Sequence, residues 1–120
     1  MLAALARLLR KTPARPGPEP RWIDVAELRR RLAQPAAPLV VDVRGPEEFD
    51  GPLGHIDEAR NSPLPKLAGH ARELAAAGRP VVFVCLTDKR SAAAATQVAR
   101  AGLADVSVLR GGMKAWRSDE

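Results

Sequence analysis

Short β-branched runs alternate with stretches of helical periodicity along most of this chain. Leu39-Val-Val-Asp-Val43 follows Pro35 and Pro38 and predicts a buried strand. Val81-Val-Phe-Val84 predicts a second, and Asp105 to Leu109 a third of the parallel type. Asp24, followed three positions later by Glu27, is a capping-box-like start to a helix that runs to about Gln34 and gathers Val25, Leu28 and Leu32 on one face. Pro46 to Phe49 predicts one helical turn before a loop with Gly51, Pro52 and Gly54. Residues 64 to 77 predict a helix ended by Gly78, and Ser91, as N-cap, opens an Ala-rich helix that reaches about Ala101 and stops at Gly102. Gly111-Gly112 reads as a break and Met113 to Trp116 as a terminal helical turn. Strand alternating with helix implies an α/β fold whose parallel sheet is covered on both faces. In such sheets reactive groups collect where strands end at their carboxyl side.

Before residue 21 the pattern changes. Leu2, Leu5, Leu8 and Leu9 fall at helical spacing, with Arg7, Arg10 and Lys11 toward the end, which predicts a short amphipathic helix. Pro13, Pro16, Pro18 and Pro20 with Gly17 then predict an extended linker. The expected organisation is an appendage over residues 1 to 20 and one domain over 21 to 120, and 120 residues suffice for a single core. Arg7 interrupts the apolar run at the N-terminus well short of the roughly 20 residues of a membrane span. The segment also lacks the early positive region of a secretory signal, although its Arg-rich, acid-poor character to Pro18 fits an organellar transit peptide. Membrane-surface contact by residues 2–11 is the weaker reading beside docking or packing on the domain, and a stretch this short needs something to hold it helical.

Charge changes the picture only once it is located. The formal net charge is +5, but residues 1 to 31 carry eight Lys or Arg against three acids, while from Leu32 onward eleven bases face eleven acids. The body therefore offers no phosphate-tracking face, and two Trp, two Phe and no Tyr leave few stacking platforms, so nucleic acid is not an expected partner. A single cysteine makes no intramolecular disulfide and no C-x-x-C cluster, which favours a reducing compartment and a cytoplasmic location. No His/Asp/Glu set has metal-ligand spacing, so neither metal nor cofactor is expected.

That cysteine, Cys85, stands directly after the second strand and six residues before Ser91. The backbone N–H groups of Cys85-Leu-Thr-Asp-Lys-Arg90 can surround a point near the helix N-terminus as an anion nest, and Lys89 and Arg90 add cations. Such surroundings favour the thiolate, which is the nucleophilic form. Most free cysteines are small buried hydrophobes. The basic loop and helix start that follow this one turn the balance toward chemistry. After attack on a sulfur donor the negative charge moves to the terminal sulfur of a persulfide, where the same N–H groups can hold it.

Several motifs in order resemble the rhodanese family from about Arg21 to Trp116: Asp42-Val-Arg44, Glu47-Glu48-Phe49, Gly54-His55-Ile56, Ala59-Arg-Asn61, Pro63-Leu64, Cys85-Leu-Thr-Asp-Lys-Arg90-Ser91, and Leu109-Arg-Gly-Gly112 followed by Trp116. The resemblance implies a single rhodanese-like domain with a central parallel sheet of about five strands. It implies a sulfurtransferase that moves a sulfane sulfur from thiosulfate or a persulfide to a thiol or other nucleophile. By the same resemblance Cys85 forms the persulfide, and Leu86, Thr87, Asp88, Lys89, Arg90 and Ser91 bind substrate, with Arg90 facing it. Asp42 and Arg44 then support the site from the neighbouring strand. The partners implied are a small-molecule or protein-bound sulfur donor and a thiol acceptor, the protein being a monomer or weak homodimer.

One position departs from the family pattern, since many members have Gly where this chain has Asp88. Asp tolerates the left-handed backbone that Gly would permit, but its carboxylate at the mouth should repel dianions such as thiosulfate. His55 is expected to tie a loop to backbone, His70 to face solvent, and Trp22 and Trp116 to pack on the sheet. Two other functions compete. A catalytically weak binding or regulatory module has no need of Cys85 with its basic loop. A phosphatase or arsenate reductase typically places five residues between Cys and Arg, whereas Cys85 and Arg90 enclose four.

Overall fold

The structure is a computed structural model and describes residues 19–119. The proposed N-terminal helix and most of the linker lie outside the described residues. Five parallel strands form one sheet in the order β1-β5-β4-β2-β3: β1 Arg21–Ile23, β2 Leu39–Asp42, β3 Arg60–Asn61, β4 Val81–Val84 and β5 Val106–Leu109. Five α-helices run between and after them: α1 Val25–Leu32, α2 Pro46–Phe49, α3 Leu67–Ala77, α4 Lys89–Arg100 and α5 Gly112–Ser118. A 3-10 turn, Leu64–Lys66, precedes α3. This is the α/β fold with about five parallel strands that the motifs implied.

Both faces of the sheet are dry, which explains why β2 and β4 read as unbroken apolar runs rather than alternating ones. Residues of one parity, Leu39, Val41, Val81, Phe83, Val106 and Val108, pack with Leu67 and Leu74 of α3 and Ala94, Ala95 and Val98 of α4. The other parity, Val40, Val82, Val84 and Leu109, packs with Val25 and Leu28 of α1 and Met113 and Trp116 of α5. Asp24 caps α1 by accepting from the Glu27 N–H at 2.8 Å, as its spacing predicts. Gly78 ends α3 in the left-handed conformation, φ 63°.

Trp22 corrects the sequence reading. It lies on edge strand β1 and is 41% exposed, with the Arg110 guanidinium 5.0 Å above its ring. Only Ile23 of that three-residue strand is buried, because β1 is an edge strand that pairs with β5 on one side alone. Trp116 is buried as expected, with Arg29 stacked 3.9 Å over it.

Candidate active site

All five strands are parallel, so the residues that follow them collect at one end of the sheet. β4 is central and pairs with β2 on one side and β5 on the other. Cys85, the next residue, therefore emerges between the loops that follow β2 and β5. It keeps the parity of Val81 and Phe83, is 1% exposed and belongs to the core cluster under α3 and α4. Its Sγ is nevertheless met by polar groups: the Ser91 N–H donates to it at 3.3 Å, and Ser91 Oγ lies 3.3 Å away.

Helix α4 begins at Lys89, with Asp88 at the N-cap position. Ser91 is thus not the cap but sits inside the first turn. Its hydroxyl donates to Asp88 O at 3.2 Å, and its N–H, a first-turn donor without an intrahelical acceptor, reaches the sulfur instead. Lys89 and Arg90 belong to that turn rather than to the loop. Asp88 has φ −150° and ψ −1°, so the left-handed conformation considered for it is not used. Among the described residues its carboxylate has no hydrogen-bond or ion-pair partner, and the N–H groups of Leu86, Thr87, Asp88, Lys89 and Arg90 have no protein acceptor.

The loop is braced from α5. Met113 N–H donates to Cys85 O at 2.8 Å and Lys114 N–H to Leu86 O at 3.1 Å. A trans peptide directs its C=O and the following N–H oppositely, so the Leu86 and Thr87 N–H groups point away from α5. Gly112 makes this approach possible: its φ is +55°, and a Cβ there would run into the carbonyl oxygens of Thr87 and Cys85.

Asp42 and Arg44 form a fully buried ion pair, each side chain 1% exposed, with Arg44 Nη2 to Asp42 Oδ2 at 2.8 Å and Nε to Oδ1 at 2.9 Å. Arg44 also donates to Gly54 O at 2.6 Å, and Asn61 Nδ2 donates to both Asp42 O (3.0 Å) and Arg44 O (2.8 Å). Arg44 therefore ties the end of β2 to the loop at Gly54, and Asn61 ties the same backbone to β3. Arg90, in turn, is held in a two-bond fork by Glu48 of α2, Nη1 to Oε1 at 2.7 Å and Nη2 to Oε2 at 3.0 Å. The Arg90 hydrogen bond holds the Glu48 carboxyl below its ordinary range, and the Glu48 hydrogen bond raises Arg90. Arg90 directly precedes Ser91, whose N–H meets the sulfur, in the first turn of α4.

Of the residues singled out in the sequence, Cys85, Asp88, Arg90 and Ser91 come together around one turn, with Asp42 and Arg44 behind it. Glu48, Asn61 and Gly112 stood in the motifs without an assigned task. Their partners are distant in sequence, 42 positions for Glu48 and Arg90, so no local pattern signals the contact. His55 does tie a loop, its Nδ1 bonding Phe49 O at 2.9 Å and its ring stacking on Phe49. His70 is half-buried rather than solvent-facing, with Nδ1 2.6 Å from Ser62 Oγ. Among the described residues no His/Cys/Asp/Glu group is arranged to hold a metal ion, and no helix is long and apolar enough to cross a membrane.

Comparison with known proteins agrees with this architecture. The family model for the rhodanese-like domain matches residues 24–119. The chain is 36% identical over 97 residues to the thiosulfate sulfurtransferase GlpE of Pseudomonas aeruginosa, covering 79% of each protein. It is also 36% identical over 88 residues to the uncharacterized protein slr1261 of Synechocystis, spanning 73% of this chain and 48% of that relative's length. Among solved structures, a rhodanese-related protein from Thermoplasma volcanium superposes with a TM-score of 0.72 at 30% identity, over 82% of this chain and 92% of that one. With the match reaching from the start of α1 to the end of α5, the chain belongs to the rhodanese-like domain family.

Proposed function

We propose that this member of a sulfurtransferase family transfers sulfur itself, through a persulfide on Cys85. With thiosulfate as donor, the Cys85 thiolate attacks the outer sulfur, a new S–S bond forms, and the S–S bond to the sulfonate group breaks to release sulfite. The enzyme then carries Cys85–S–S⁻. An acceptor thiolate takes the terminal sulfur, forming its own persulfide and restoring the Cys85 thiolate.

The observation that carries this reading is the direction of the Ser91 N–H onto Sγ at the start of α4, beside five further N–H groups without a protein acceptor among the described residues. Leu86, Thr87, Asp88, Lys89, Arg90 and Ser91 would supply the donors that hold the terminal sulfur, and the positive end of α4 would favour its charge. Asp42 and Arg44 would keep the adjoining loop in place. Donors are thiosulfate or a small or protein-bound persulfide, the acceptor is a thiol, and the protein works as a monomer or weak homodimer in the cytoplasm.

A second reading, a catalytically weak module that binds partners, draws on one observation: Cys85 is 1% exposed and packed with the core. Steady-state kinetics with varied donor and acceptor separate the two. The enzyme gives the parallel double-reciprocal lines of a ping-pong mechanism, abolished in Cys85→Ser, whereas the module gives no Cys85-dependent turnover with any donor and acceptor pair.

A further inference from the structure

The turn that follows Cys85, Asp88-Lys89-Arg90, carries no net positive charge once the Glu48 partner of Arg90 is counted with it. Arg90 stands next to Ser91 in the first turn of α4, yet its fork is already filled by Glu48 at 2.7 and 3.0 Å. Beside it Asp88 presents a carboxylate with no partner among the described residues, and Lys89 is exposed. Asp88 and Glu48 thus cancel Lys89 and Arg90, and behind them the buried Asp42–Arg44 pair is neutral as well. What is left to stabilise an anion is the row of N–H groups opening α4, equivalent to about half an elementary charge.

That arrangement distinguishes donors by charge. Loading from thiosulfate brings a thiolate and a dianion together in one small site. Loading from a hydropersulfide in its protonated form, R–S–S–H, involves a single negative charge. The Cys85 thiolate attacks the outer sulfur, the new S–S bond forms as the bond to the inner sulfur breaks, and R–S⁻ leaves, with the proton remaining on the transferred sulfur. The geometry points to Glu48 as a positioning residue that sets donor specificity: by locking Arg90 into a neutral pair beside Asp88, it tunes the site toward hydropersulfides of thiols with little charge and against small dianions. Glu48 touches neither sulfur nor donor and acts through Arg90. Its lowered carboxyl and the raised guanidinium keep both partners charged through the neutral range.

This inference rests on the sulfurtransferase reading of Cys85 and is tested by the ratio of kcat/KM for thiosulfate to that for 2-mercaptoethanol hydropersulfide, with one thiol acceptor and at low and high salt. The native protein favours the hydropersulfide. Glu48→Gln keeps the shape of the pair and leaves the Arg90 charge uncompensated, and it raises the ratio about tenfold at low salt, mainly through the KM for thiosulfate, and less at high salt. Asp88→Asn, on a half-buried side chain, raises it too and serves as an independent arm should Glu48→Gln fold poorly. A native preference for thiosulfate, a ratio unmoved in both variants, a ratio unmoved in a folded Glu48→Gln, or a rise indifferent to salt each overturns the assignment. A native protein on which neither donor leaves a sulfur fails earlier, at the sulfurtransferase reading itself.

Discussion

Gly112 and Cys85 lie back to back: helix α5 starts with Gly112 in the left-handed region, φ +55°, under the carbonyl oxygen of Cys85, and the next N–H, that of Met113, bonds the same oxygen at 2.8 Å. Only a residue without a Cβ fits there, because the atoms in the way are backbone. Gly112→Ala is accordingly predicted to cost at least about 2 kcal/mol, through the left-handed penalty and the overlap together. Chemical denaturation of the two proteins measures it. A variant as stable as the parent shows that the brace between α5 and the cysteine loop is dispensable.

The Asp42–Arg44 pair predicts a different kind of loss. Removing one partner strands a charge among residues that exclude water, so Asp42→Ala should destabilise by about 3–5 kcal/mol, whereas replacing both with apolar residues should cost less than that single change. Urea midpoints of the single and double variants decide it, and a double variant worse than either single one contradicts the claim.

Ser91 meets the sulfur twice, with its N–H and with its Oγ. Ser91→Ala removes the hydroxyl, whose one proton can turn from Asp88 O to the Cys85 thiolate, and leaves the backbone donor, so sulfur loading should slow by roughly tenfold, the worth of one modest hydrogen bond, rather than stop. Single-turnover loading rates measure this. Complete loss in Ser91→Ala with the fold intact would mean that the hydroxyl, and not the N–H, carries the interaction.

Acid should release the Glu48–Arg90 fork. The Glu48 carboxyl is held below its ordinary range by Arg90, so its stabilisation is complete above the ordinary glutamate value and disappears as pH falls through the lowered one. Arg90 is raised and stays protonated throughout that window. The stability difference between the native protein and Glu48→Gln is therefore largest near neutral pH and vanishes in acid. Thermal unfolding of both across that range tests it, and a constant difference contradicts the sign.

Much of this was legible in the chain. The strands Leu39–Asp42 and Val81–Val84 announced themselves because burial on both faces requires continuous apolar residues. β1 and β3, of three and two residues, carry too little pattern to be read alone. A serine before an Ala-rich helix resembles a cap, yet α4 starts at Lys89 and the Ser91 N–H and hydroxyl are turned to Cys85 and Asp88. Trp22 misled for a similar reason: side-chain type favours burial, but the edge of the sheet decides. Around the site, the sequence named the cysteine loop, while the contacts of Glu48 and Gly112 exist only because the parallel sheet gathers distant loops at one end.

The central claim is that the sulfur at the start of α4 is a carrier and not a packing atom. Intact-mass measurement after brief incubation with thiosulfate, or with 2-mercaptoethanol hydropersulfide, tests it most directly. The account predicts a gain of one sulfur atom per chain, absent in Cys85→Ser and removed by a thiol acceptor. An unchanged mass with both donors, in a protein whose Cys85 is free and folded, would contradict it.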